Sequence, residues 1–120
     1  MLILALETST QTSSVALVEA PLHEDGLFRG EKILADHTLN LPGTHSERLM
    51  PSIHNLLQEA SMSIGDVQGI ALALGPGSFT GLRIGVSTVK SLAYALRVPV
   101  AGVATLDALA LNIQLASTLM

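Results

Sequence analysis

The sequence predicts an α/β domain, a mixed five-stranded β-sheet with helices laid against it. Three observations carry this. The first is a continuous apolar run, Met1 to Leu6, of the kind that forms a strand buried at the centre of a sheet. The second is another apolar run, Gly69 to Leu74, which passes through Gly75-Pro76-Gly77-Ser78 into a segment of helical periodicity. A strand, a tight turn and a helix start in that order put functional loops at the carboxyl edge of α/β sheets. The third is the element order over residues 1–120, which reads strand, strand, strand, helix, strand, helix, strand, helix. That order and length suit one domain built on one sheet.

After the first strand, Glu7 to Ser14 is a polar turn, and Val15 to Val18 reads as a second strand returning antiparallel. Glu19 to Gly30 contains Pro21, Asp25-Gly26 and Gly30, and forms a loop longer than the ~2–5 residues usual in hairpins. Glu31 to Leu39 is a third strand. Glu31, Lys32, Asp36 and His37 place it at an edge, where ionisable side chains discourage pairing with another sheet. Thr44-His45-Ser46-Glu47 matches a capping box, with Thr44 facing Glu47. Beyond it Leu49, Ile53, Leu56, Leu57 and Ala60 recur at helical spacing as one apolar stripe. Pro51 falls inside the stripe and predicts either a kink or the true first turn of the helix. Gly65-Asp66 is expected to end this segment.

In the turn after Leu74, Gly75 and Gly77 permit backbone conformations closed to other residues, and Pro76 stiffens the bend. Ser78 or Thr80 can cap the helix that follows. Two uses remain open. The turn can cradle a phosphate, because a helix N-terminus presents N–H donors and a positive dipole end. It can equally be a structural turn, which is the commoner use of such glycine pairs. It is not a Walker loop, since no Gly-Lys-Ser/Thr closes it, and it lacks dinucleotide glycine spacing.

Leu82, Val86, Val89, Ala93 and Leu96 then form an apolar seam. On another side, Gly81 and Gly85 remove side-chain bulk, with Ser87, Thr88 and Ser91 nearby. Small residues so spaced admit a close helix, either the domain's own first helix or one from another molecule. Arg83, Lys90 and Arg97 stand at successive heptad steps. Such a row is as a rule a solvated face, and three charges are too few for a nucleic-acid groove. Val98 to Val103 reads as a further parallel strand with Pro99 near its start. Thr105 is expected to cap a last helix through Leu106, Leu109, Ala110 and Ile113.

Composition narrows the functional classes. Hydrophobic residues make up 48% and charged residues 13%, against roughly 25% charged in an ordinary soluble domain. Part of the surface therefore expects a cover, from a partner subunit or a second lobe. No apolar run reaches the ~18 residues of a spanning helix, and no cationic stretch precedes the apolar start. Cytoplasm is the default expectation. Net charge is −4 with Lys and Arg scattered, so no basic face for gripping RNA is expected. Cysteine is absent, which excludes disulfides and thiol chemistry. His45 and His54 are nine residues apart, on opposite sides of a helix, whereas a zinc pair wants about four. The residues supply neither a metal set nor a nucleophile–base pair, so no catalytic residue is assigned.

The run Gly-Pro-Gly-Ser-Phe-Thr-Gly-Leu-Arg-Ile-Gly from Gly75 to Gly85 is highly specific. Together with His45-Ser46-Glu47 and Leu4-Ala5-Leu6-Glu7-Thr8-Ser9-Thr10, it closely resembles the bacterial TsaB (YeaZ) family, from Met1 to about Leu109. The resemblance implies the ribonuclease-H-like lobe of the actin/Hsp70 ATPase (ASKHA) fold, here the first of two related lobes. It implies a non-catalytic scaffold and activator for making N6-threonylcarbamoyladenosine (t6A) in tRNA. The implied partners are a TsaD-like catalytic relative and a TsaE-like ATPase, with tRNA engaged only indirectly and no cofactor held by this chain. In ATPases of this fold the first turn approaches phosphate, and an aspartate at its start helps hold magnesium. The matching position is Glu7, with no glycine after it. Glu7, Thr8, Ser9, Gly75, Gly77 and Ser78 are accordingly read as a vestigial phosphate loop. The pairing surface is expected as a helical bundle built on the helices beginning near His45 and at Thr80, through His45, Leu49, Ile53, Gly81, Ile84, Gly85 and Thr88. A lone lobe is expected to form a homodimer through those helices or through surface that the other lobe would cover. Two other classes stay in view, a metal-dependent glycopeptidase-like hydrolase and a nucleotide-binding module using Thr8 to Thr10 and Gly75 to Gly81.

Overall fold

The computed structural model describes residues 1–8, 13–20, 32–39, 45–76 and 79–104. The strands are β1 (Leu2–Glu7), β2 (Ser13–Glu19), β3 (Lys32–Leu39), β4 (Gly69–Ala73) and β5 (Val100–Val103). The helices are α1 (His45–Glu59) and α2 (Phe79–Leu96), with a 3-10 turn at Ile64–Asp66. The sheet order is β3-β2-β1-β4-β5, so the apolar β1 is central and the charged β3 is an edge, as expected. β2 is antiparallel to β1, while β4 and β5 are parallel. At mid-sheet Leu4 pairs with Leu17 on one side and Ile70 on the other. A register shift at Leu17/Val18 irregularly pairs β2 with β3.

Leu2, Leu4 and Leu6 join Val15, Leu17, Ile70 and Leu72 on one sheet face. Leu49, Ile53, Leu56 and Leu57 of α1 and Val89 and Leu92 of α2 cover that face. The sequence led us to expect β1 buried on both faces, and here the structure differs. Its burial alternates, with Ile3, Ala5 and Glu7 only half-buried. The reason is that both described helices lie on the leucine face. The opposite face, floored by Ala5, Ala16, Ala71, Ala73 and Val103, lines an apolar cavity of about 310 Å³. The helix expected from Thr105, the Thr44 capping residue and the loop at 21–31 lie outside the described residues.

α1 also ends earlier than the sequence suggested, at Glu59 rather than at Gly65-Asp66. Ser61 takes a left-handed conformation, φ 55°. The Met62 N–H then donates to the Leu57 carbonyl at 2.9 Å and the Ser61 N–H to the Gln58 carbonyl at 3.0 Å. This closes the helix in the way a glycine normally would. Since a left-handed residue with a Cβ carries a penalty of roughly 1–2 kcal/mol, partly offset by glycine's unfolded-state freedom, Ser61→Gly is expected to stabilise by about 0.5–1 kcal/mol. A urea midpoint lower than that of the parent would contradict the assignment. Pro51 neither ends nor begins the helix, which runs on through it. Pro51 is exposed, so the bond it cannot donate is lost on the solvent side.

Before β4, the Asp66 carboxylate accepts from the Ser63 backbone N–H at 2.8 Å and from its hydroxyl at 3.1 Å. Those two donors, the backbone one first, hold its pKa below the usual carboxylate range. A lowered folded-state pKa stabilises fully at neutral pH and fades as pH falls below about 3.9. Asp66→Asn should therefore lower the melting temperature slightly at pH 7 and leave it unchanged near pH 2. An equal shift at both pH values would contradict this.

Candidate functional site

Two regions come from the sequence: the loop ends at the top of β1 and β4, and the helix pair. At the loop ends, Glu7 closes β1 and lines the open-face cavity. Its neighbour Thr8 turns the other way and is fully buried. A Cβ placed on Gly85 would fall on the Thr8 hydroxyl oxygen and would lie 3.1 Å from Leu72 Cδ1. Gly85 is thus the point where α2 comes down onto the sheet. The Thr8 hydroxyl beneath it has no hydrogen-bond partner among the described residues. Gly75, φ 94°, makes the left-handed bend that turns the chain from β4 toward α2.

The vestigial-loop reading is corrected in one respect. Thr8 is sealed under α2 and does not share an open surface with Glu7, so these two residues do not converge on one ligand. Ser9, Gly77 and Ser78 lie outside the described residues. Among the described residues, no three His, Cys, Asp or Glu side chains gather as a metal site.

The helix pair requires a larger correction. Leu49 and Ile53 belong to the domain's own core. Gly81 and Gly85 are buried, and Ile84 packs partly against the same core. Thr88 is half-buried, and the side chain of His45 lies outside the described residues. The glycine side of α2 therefore faces its own sheet, at Thr8 and Leu72, and is not a surface for a second helix. The buried line runs through Gly81, Gly85, Val89 and Leu92, rotated toward the glycines from the apolar seam of the sequence. Removing bulk at those glycines lets the helix backbone settle closer to the strands, which is why the rotated orientation wins.

What α1 and α2 present outward is different. On α1 it is Met50, Pro51, His54, Asn55 and Gln58, all exposed. On α2 it is Arg83, Ser87, Lys90, Ser91 and Tyr94, with Arg97 exposed just beyond the helix end. Tyr94 is 89% exposed, and it is the chain's one tyrosine. Sequence reasoning passed over it, although its position three residues before Arg97 and four after Lys90 already placed it on the heptad row. At the far end of α1, Glu59 meets His37 of β3 at 2.8 Å.

Comparison with known proteins agrees with this architecture. The family described as "TsaD: tRNA N6-adenosine threonylcarbamoyltransferase" matches residues 32–119. The "tRNA threonylcarbamoyladenosine biosynthesis protein TsaB" of Bacillus subtilis (strain 168) is 39% identical over 112 residues, covering 93% of this chain and 44% of that relative. Its namesake in Escherichia coli (strain K12) is 36% identical, over 92% of this chain and 43% of the relative. The structure of "YeaZ from Pseudomonas aeruginosa" superposes with TM-score 0.66 at 41% identity, over 86% of this chain and 42% of that one. Thermus thermophilus RuvC, TM-score 0.57 at 11% identity over 87% of this chain and 64% of that one, shares the ribonuclease-H-like fold alone. The chain spans less than half the length of these TsaB and YeaZ relatives. It has the ribonuclease-H-like lobe of the ASKHA fold, and it belongs to the TsaD-type tRNA N6-adenosine threonylcarbamoyltransferase family, on its TsaB (YeaZ) side.

Proposed function

We propose that this chain is one lobe of a non-catalytic scaffold and activator for t6A synthesis in tRNA, working in the cytoplasm. It pairs with a TsaD-type catalytic subunit and a TsaE-type ATPase, and it engages tRNA only through them. The observation that carries the reading is the placement of α1 and α2. They cover one sheet face together and keep their outward strips exposed, in a chain similar over nine-tenths of its length to proteins named for threonylcarbamoyladenosine biosynthesis. The burial of Thr8 under α2 supports docking over phosphate chemistry at the top of β1. The pairing surface is the outward strips, with Ile84 and Thr88 at their margin, and without a partner the chain forms a homodimer through these helices or through surface that the second lobe would cover.

Co-elution tests this. Mixed with the TsaD-type subunit, the chain should shift into a stable complex on size exclusion, while the chain alone carries out no threonylcarbamoyl transfer. Transfer by the isolated chain, or failure to form the complex, would count against the reading.

A further inference from the structure

Both described helices lie on the leucine face of the sheet, and the strand register gives the other face a definite shape. Ala16 of β2 pairs with Ala5 of β1, Ala5 with Ala71 of β4, and Ala71 with Ala101 of β5. Directly paired residues point to the same side of a sheet, so these alanines form one row across four strands. Three strand spacings make that row about 14 Å wide. A single helix, about 10 Å across, fits such a band.

Strands that pair in parallel need cover on both faces. β1, β4 and β5 are parallel, yet all four residues of β5 are exposed. Val103 of β5 lines the 310 Å³ cavity together with Ala5, Ala16 and Ala71. The chain therefore leaves its last strand at the border of the uncovered band. Residues 105–120 follow directly, and they contain no Lys, Arg, His or Glu and a single Asp, Asp107. Leu106, Leu109, Ala110 and Ile113 recur there at helical spacing. A helix of that length reaches about 24 Å, enough to run along six-residue strands of about 20 Å.

We infer that residues 105–120 are the cover of this face, a helix seated on the alanine row with Leu106, Leu109 and Ile113 filling the cavity. Large side chains from the helix meet small ones on the floor, which is how facing layers interdigitate. The arrangement mirrors the other face, where the missing bulk at Gly85 lets α2 come down onto Thr8 and Leu72. A second copy of this chain is the poorer occupant. Its equivalent surface is the same shallow row, and two alanine floors laid together leave a void whose lining loses its dispersion contacts.

The chain has no cysteine, so one engineered thiol reports on the face. In the full chain, Ala71→Cys should react with a thiol-labelling reagent at least about a hundredfold more slowly than a free thiol, at a rate independent of protein concentration. Adding Leu109→Asp and Ile113→Asp should speed its labelling at least about tenfold. A second reporter, Val89→Cys, sits between α2 and the leucine face and should stay protected in the same background. Where Val89→Cys opens as well, Leu109→Ala replaces the pair of aspartates, and Ala71→Cys should then speed up at least about threefold with Val89→Cys unchanged. Fast labelling of Ala71→Cys in the otherwise unaltered chain would overturn the inference. So would protection that the changes at 109 and 113 leave intact. Protection lost on dilution would assign the face to a second copy and overturn it too.

Discussion

Gly85→Leu is expected to reduce folding stability by about 3 kcal/mol or more, since the new side chain must displace Thr8 and Leu72. The smaller Gly85→Ala isolates the cause. Alone it should destabilise by about 1–2 kcal/mol, because overpacking outweighs the ~1 kcal/mol that alanine gains over glycine within a helix. In a Thr8→Ala background the same change should be neutral or stabilising by up to about 1 kcal/mol. The colliding hydroxyl is then gone, and with it a buried polar group that lacks a partner among the described residues. Urea unfolding of the four proteins gives the coupling directly. An equal cost in both backgrounds would contradict the packing described here.

Leu4→Ala is the other large effect. Leu4 is fully buried in the central strand, between the equally buried Leu17 and Ile70 of the neighbouring strands. No backbone element there can collapse to fill the space without breaking the sheet register. The expected loss is about 3–4 kcal/mol, near the upper part of the range for such truncations. A domain of this size is stable by about 5–15 kcal/mol, so a large share of the folded margin would go. Leu4→Met, which keeps the volume, should lose less than about 1.5 kcal/mol. A loss below 1 kcal/mol for Leu4→Ala, on the same scale, would mean that the strand is not where the core is densest.

Much of the fold is legible in the sequence where one physical constraint dominates. The apolar stretch at Leu2 to Leu6 has no alternative to the centre of a sheet, and the ionisable residues of Lys32 to Leu39 have none to its edge. Parallel pairing of Gly69 to Ala73 beside β1 follows from the helical connection between them. Legibility fails where several orientations satisfy the same periodicity. α2 has an apolar seam and a small-residue side next to each other, and sequence periodicity does not say which faces inward. Close approach at Thr8 decides it, and that depends on how far the helix can sink onto β1 and β4. Ser61 shows a second kind of failure. Its left-handed turn is fixed by the hydrogen bonds from Met62 and Ser61 itself, while glycine at Gly65 marks the end that composition alone would choose.

The candidate docking surface was partly hidden for the same reason. Leu49 and Ile53 satisfied a helical stripe, and a stripe is core before it is interface. Tyr94 belongs to no apolar stripe, yet an aromatic ring left in solvent is the kind of side chain that anchors a partner. Arg83, Lys90 and Arg97 were visible as a row from the start, and what the structure adds is that all three are exposed together with Tyr94.

The most direct measurement is threonylcarbamoyl transfer to tRNA by the TsaD-type subunit and the TsaE-type ATPase, with and without this chain. Docking without chemistry predicts transfer that rises when the chain is added and is nil for the chain alone. Full transfer in its absence, or transfer by the chain on its own, would contradict the account.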